Sequence, residues 1–129
     1  MAIKYNMDKL QKWADYHAKN FWIAARKEFG AVIGEMPIVK LNPRLTSTAG
    51  RAWIEHGFID LSCYLMSNNA QAFADDTIPH ELCHMIAWRL YQDRGHGKGW
   101  KFTMQKMGLT PTRCHDMETL NQAKARLAK

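Results

Sequence analysis

The stretch Asp75-Asp76-Thr77-Ile78-Pro79-His80-Glu81-Leu82-Cys83-His84 decides how this chain is read. Asp75, Asp76 and Thr77 are residues that cap a helix and place negative charge at its positive end. Pro79 suits the first turn, where its missing N–H costs little. The spacing that follows predicts a helix to about Tyr91, ending before Gly95. Leu82, Met85 and Ile86 make it a buried helix. His80 and His84 stand at i and i+4, on one face, so both imidazoles can reach one metal ion. Glu81 falls where its carboxylate can contact a water on that ion. Zinc brings such a water to a pKa of about 7, and Glu81 can take its proton during attack on a carbonyl. The plain alternative is two surface histidines, which the apolar residues around them argue against. Cys83 points off the histidine face and reads as a small buried residue.

A catalytic zinc needs a third protein ligand and an open position. The position six residues after His84, where metzincins carry a histidine, is Leu90. Glu118 is the one glutamate further on. His96 is the better candidate: it lies in Gly95-His96-Gly97, just beyond the helix, where the glycines allow a tight reversal that returns its ring to the metal.

Working outward, residues 7 to 29 predict an amphipathic helix, with Asn6 as cap and Gly30 as stop. Ile38 to Leu41, Ala49 to Glu55 and Phe58 to Leu61 read as short strands, the last two joined as a hairpin near His56-Gly57. Further helices are expected from about Tyr64 to Ala74, from Gly97 to Met107 before Gly108, and from Met117 to Leu127. Helices around a small antiparallel sheet make an α+β domain. With no repeats, low-complexity runs or linker, residues 1–129 read as a single domain.

The 129 residues are 47% apolar and 23% charged, ordinary globular usage that excludes a disordered or fibrous chain. No stretch is long and apolar enough to span a membrane, and Met1 to Asn6 lack a signal peptide's apolar core. Cys63, Cys83 and Cys114 are scattered and odd in number, which argues against a disulfide framework and for a reducing, cytoplasmic compartment. The net charge of +6 is uneven: residues 1–88 hold nine basic and nine acidic side chains, residues 89–129 nine against three. Such asymmetry suits a polyanion, nucleic acid first, or else only a soluble basic surface.

Several blocks, in order, extend the pattern: Thr48-Ala49-Gly50-Arg51-Ala52-Trp53, Ile59-Asp60-Leu61-Ser62, Ile78-Pro79-His80-Glu81-Leu82-Cys83-His84, His96-Gly97-Lys98-Gly99-Trp100-Lys101, and Gly108-Leu109-Thr110-Pro111 with Arg113-Cys114-His115. Together, over residues 46 to 116, they resemble the SprT-like zinc metallopeptidases. The resemblance implies a zincin-like fold, a zinc ion held by His80, His84 and His96, and Glu81 as the catalytic carboxylate. It also implies proteolysis of proteins bound to or crosslinked with DNA. The chain departs from many members in lacking a C-terminal four-cysteine zinc ribbon, since Cys114 is the one cysteine after the helix motif. Contact with DNA must then use this domain's own basic surface or another protein.

Lys98 and Lys101 flank Trp100, and a basic–aromatic cluster of this kind could hold single-stranded DNA. Against that, Trp100 shares helical spacing with Met104 and Met107 and reads as core, as do Trp53 and Trp88. Arg113 and His115 are candidates to stabilise the oxyanion of peptide hydrolysis, with Tyr64 and Tyr91 behind them. His17 and His56 read as structural or surface. A second reading makes the zinc structural in a DNA-associated or regulatory module, with Cys114 or His115 as fourth ligand. A hydrolase acting on a non-peptide bond is a third reading.

Overall fold

The computed structural model describes residues 3–112 and 115–128. Its first element, α1 (Met7–Phe29), starts as the sequence predicts: the Asn6 side chain accepts from the Lys9 amide, and Gly30, at φ +90°, ends the helix. Ala14, Ala18, Trp22 and Ala25 recur every three or four residues and are the buried stripe of this helix.

Three strands follow: β1 (Ile38–Asn42), β2 (Gly50–Trp53) and β3 (Phe58–Ser62). Gly57, at φ +74°, turns the β2–β3 hairpin, and the amides of His56 and Gly57 both donate to the Trp53 carbonyl. The sheet is not antiparallel throughout as expected. Its order is β1-β3-β2; β2 runs antiparallel to β3, but β1 pairs with β3 in parallel, Ile38 opposite Phe58 through Asn42 opposite Ser62. The residues between β1 and β3 include the whole of β2, enough chain for the crossover a parallel pair needs. β3 becomes the central strand, with Ile59 and Leu61 fully buried.

One carboxylate ties all three strands. Asp60 on β3 receives a two-pronged contact from Arg51 on β2, at 2.6 and 3.1 Å, and the Asn42 amide from β1 at 3.0 Å. Burial pushes the Asp60 carboxyl up, but the hydrogen bonds from Arg51 and Asn42 outweigh it and leave the group below the usual carboxylate range. Trp53 does not enter the core. It is 37% exposed, stacked on Phe58 with the Arg51 guanidinium over it. Trp88 is half-buried under the Arg94 guanidinium.

Ser62 turns the chain from β3 into α2 (Cys63–Asn68). Its hydroxyl accepts from the Leu65 amide at 3.0 Å and donates to the Leu45 carbonyl at 2.6 Å. Ser62→Ala strands both groups in the interior and should cost about 1–3 kcal/mol, read as a lower midpoint in urea unfolding with an unchanged slope.

The helix expected from Tyr64 to Ala74 breaks at Asn69 and resumes as the single turn α3 (Ala70–Ala72). A π-helical turn over Phe73–Thr77 then runs straight into α4 (Ile78–Tyr91). Asp75, Asp76 and Thr77 therefore do not cap: Thr77 has helical dihedrals (φ −62°, ψ −49°) and makes no side-chain cap bond. Pro79 explains the wide turn. In an α-helix its ring would meet the Asp75 carbonyl, and its nitrogen has no proton to give, so loosening the preceding turn lets the helix continue.

α4 buries Ile78, Leu82, Met85 and Ile86 fully or nearly so against the α1 and sheet core. Its other side, Cys83 and Ala87, packs with Trp100 and Met104 of α5 (Lys98–Lys106), which ends before Gly108 at φ +74°. The last helix, α6 (Leu120–Leu127), begins three residues later than its periodicity suggests, because Thr119 and Gln122 form a reciprocal cap. Cys63 and Cys83 are free buried thiols. Among the described residues no helix is long and apolar enough to cross a membrane.

Candidate metal centre

His80 and His84 lie one turn apart on α4, with ring centroids 5.0 Å apart. After Tyr91 the chain leaves the helix through Gln92, a left-handed residue at φ +60°, and doubles back. That reversal brings the His96 Nε2 to 3.2 Å from the His84 Nε2 and 3.3 Å from the His80 Nε2. The structure thus assembles the three histidines the sequence singles out. The glycines beside His96 act differently from expected. Gly97 sits at φ −79°, so its role is space: a Cβ there would come within 2.9 Å of the Asp93 carboxylate.

The three ligand atoms lie within 4.8 Å of one another, a cluster that could hold a metal ion. Two nitrogens each bonded at 2.0–2.1 Å to a tetrahedral ion stand about 3.3 Å apart, which matches the observed separations. Two of the rings, His80 and His84, are kept in the neutral form a metal requires. Burial, then the neighbouring His96, lowers His80 to about 4. Burial, then His80 and His96, lowers His84 to about 3. Backbone hydrogen bonds at Thr112 and Gly95 serve His80 and His84 respectively, which helps fix how the rings are turned.

Trp100 lies under the cluster. It is fully buried, stacks on His84 at 5.3 Å with the planes 16° apart, and meets His80 at 4.8 Å and His96 edge-on at 4.5 Å. The core reading of this tryptophan holds, but the sequence did not disclose that its core face is the underside of the metal site.

Asp93 also escaped the sequence reading. Its carboxylate accepts the amides of Gly95 and Trp100, each at 2.9 Å, so it pins both ends of the segment that carries His96. The Asp-x-Gly pattern at 93–95 is the signal that could have found it, as aspartates bond to backbone two residues on. Asp93→Ala should free this segment and lower metal affinity about 10- to 100-fold, measured by competition with a chromogenic chelator. Unchanged affinity would remove Asp93 from the site's support.

Glu81 points into the same cleft, 7% exposed, with its Oε2 3.8 Å from the His80 Nε2. Burial, and then the charge on Asp60, pushes its carboxyl up to about 8. Gly50 of β2 makes room for it: a Cβ there would lie 3.1 Å from the Glu81 Cγ. The cleft holds about 330 Å³ and is walled by Ser47 to Gly50 on one side and by Asp76, Thr77 and Thr112 on the other.

His115 lines this cleft too, with both ring nitrogens engaged: Nε2 donates to the Ser47 carbonyl at 2.5 Å, and Nδ1 accepts from the Met117 amide at 3.1 Å. Arg113 and Cys114 lie outside the described residues. Lys98 and Lys101 are exposed on α5 and do not line the cleft, nor do Tyr64 and Tyr91.

A family model described as the SprT-like family matches residues 12–119. Curated relatives include Protein SprT of Enterobacter sp. (strain 638), 40% identical over 74 residues, which are 56% of this chain and 45% of the relative. Protein SprT of Cronobacter sakazakii is 39% identical and that of Escherichia coli O1:K1 / APEC 36% identical, over the same shares. The matched stretch is thus under half the length of these relatives. No solved structure matches the chain.

Proposed function

This chain belongs to the SprT-like family, and from that premise we propose that it is a zinc-dependent metalloendopeptidase of zincin-like fold acting on proteins bound to or crosslinked with DNA. One observation carries the reading: three histidines, with the His96 Nε2 at tetrahedral spacing from those of His80 and His84, share an open cleft with a buried glutamate. Among the described residues the cluster has three ligand side chains, the number catalytic zinc sites use, whereas structural sites fill all four positions with protein.

When bound, zinc supplies Lewis-acid polarisation and a water made acidic near neutral pH. His80, His84 and His96 would hold the ion. Glu81 takes the proton of the attacking water at its carboxylate and passes it to the leaving amine. Its burial next to a cation suits this, because the cation pulls its raised pKa back toward the working range. Ser47 to Gly50 lead into β2, an edge strand, so an extended peptide entering the cleft runs beside backbone with pairing groups to offer. A compartment that keeps Cys63 and Cys83 reduced, the cytoplasm, completes the reading.

The test is cleavage of a histone by the purified, zinc-loaded protein, with and without single-stranded DNA. Cleavage should appear, vanish with a zinc chelator and return on adding zinc. Stoichiometric zinc with no cleavage under any condition would transfer the site to the structural role.

A further inference from the structure

The metal cleft has a side pocket. A cavity of about 320 Å³ opens off the wall opposite Ser47 to Gly50, and Asp76 and Thr77 line both spaces. Beyond that shared edge the pocket is lined by Ala72, Asp116 and Met117. Ala72, Asp76 and Thr77 come from the turns that lead into α4, and Asp116 and Met117 from the segment between α5 and α6. Neither Asp76 nor Asp116 is in an ion pair among the described residues, and no lysine or arginine among them lines the pocket. Asp75 is different: it lies outside the lining and accepts from the Gln71 side-chain amide at 2.9 Å.

Two like charges therefore share one pocket with no counter-charge among the described residues. Partial burial, then the charges on Asp116 and Asp75, pushes the Asp76 carboxyl up. A cation seated between the carboxylates acts in the opposite sense. Thr77 gives a second, independent sign of a ligand. Thr77 is only 6% exposed, yet its hydroxyl makes no hydrogen bond among the described residues. Nor is that hydroxyl sealed in the core, where the one side-chain atom without a partner is the His17 Nε2. It opens instead on the junction of cleft and pocket. A hydroxyl withdrawn from bulk water and left unbonded is costly, and a ligand with a proton to give removes that cost.

We propose that this pocket takes one lysine or arginine side chain of the substrate, its stem against Ala72 and Met117, its charge between Asp76 and Asp116, and an N–H donated to the Thr77 hydroxyl. A long cationic side chain has the apolar stem and charged tip that such a lining fits. An aliphatic side chain would leave both carboxylates and the hydroxyl unanswered, and an acidic one would meet like charge. This rests on the protease reading and narrows its substrate: the chain cut is one with a basic residue next to the scissile bond, a residue type that proteins use to hold phosphates.

The experiment is calorimetric binding, to the zinc-loaded protein, of short peptide hydroxamates, whose hydroxamate group grips the metal. The residue beside that group, on either side of it in two series, is lysine, arginine, norleucine or glutamate. Binding needs no turnover. In one series lysine and arginine should bind about 10-fold more tightly than norleucine, the worth of one hydrogen bond to a charged group, and glutamate more weakly than norleucine. The preference should shrink as salt rises. Asp76→Asn with Asp116→Asn should bring the lysine-to-norleucine ratio to about 1. Thr77→Val should lower that ratio and Thr77→Ser should restore it. Asp75→Asn, which removes a neighbouring charge outside the pocket, should keep the preference. All three aspartates are exposed, so folding is not at stake in their variants. Hydroxamates that bind without regard to side chain would overturn the pocket and leave the protease reading standing. So would a preference that outlasts the double variant or falls equally in Asp75→Asn. Hydroxamates that do not bind at all would overturn both.

Discussion

Glu81→Gln is expected to keep its zinc and lose hydrolysis by about 10²- to 10⁴-fold, the range a general base contributes. The amide has nearly the shape of the carboxyl and fits the space Gly50 leaves, but it cannot accept the water's proton. Metal content by atomic emission and histone cleavage, on the same preparation, read the two halves of the prediction. Stability gives an independent handle in the zinc-free protein. Burial raises the Glu81 pKa to about 8, while the unfolded chain releases that proton near 4.5. Between those values the unfolded state gives up a proton the folded state retains, so wild-type stability falls as pH rises from about 4.5 to about 8. Gln titrates in neither state, so the variant should lack that loss. Cleavage surviving at wild-type rate would dismiss Glu81 as the base.

His84→Ala should erase metal-dependent stability. The ion would join α4 to the segment between α4 and α5, and any ligand that binds only the folded state stabilises it by mass action, about 4 kcal/mol at a thousand times its dissociation constant. For a chain of this size that corresponds to a rise in Tm on the order of 15 °C. The wild-type Tm should climb with added zinc in calorimetry, whereas that of His84→Ala should stay flat. His84 is buried and stacked on Trp100, so the variant also starts lower, from the space left over the indole. The slope against zinc separates the two effects. A variant that still climbs as the wild type does would show that the ion binds elsewhere.

Much of this was readable before any coordinates, for local reasons. Asn6 and Gly30 bracket α1 because capping and chain reversal are chemistry of single residues. The i, i+4 histidines share a face because helical geometry leaves them no choice. What escaped depends on partners remote in sequence. Nothing in Ile38 to Asn42 says whether they pair in parallel or antiparallel; that is set by β3 taking the centre of the sheet. Asp75-Asp76-Thr77 carries the composition of a cap, yet the pull of Phe73 and Ile78 into one core keeps the helix running through it. Trp53 has the apolarity of a core residue, but lies on the outer hairpin beside Arg51. Nor does a charge count tell which cations pair: Arg94, Lys106 and Arg126 find acids that the sequence places 39, 78 and 8 residues away. Lys4, Lys9 and Lys12 find none among the described residues.

Trp100 has a practical consequence. Its indole touches all three imidazoles, so a cation arriving above those rings changes the electric field at the one fully buried tryptophan of the described chain. The protein thereby carries its own optical gauge: ultraviolet emission can follow the loading of the centre in real time, without dye, label or turnover.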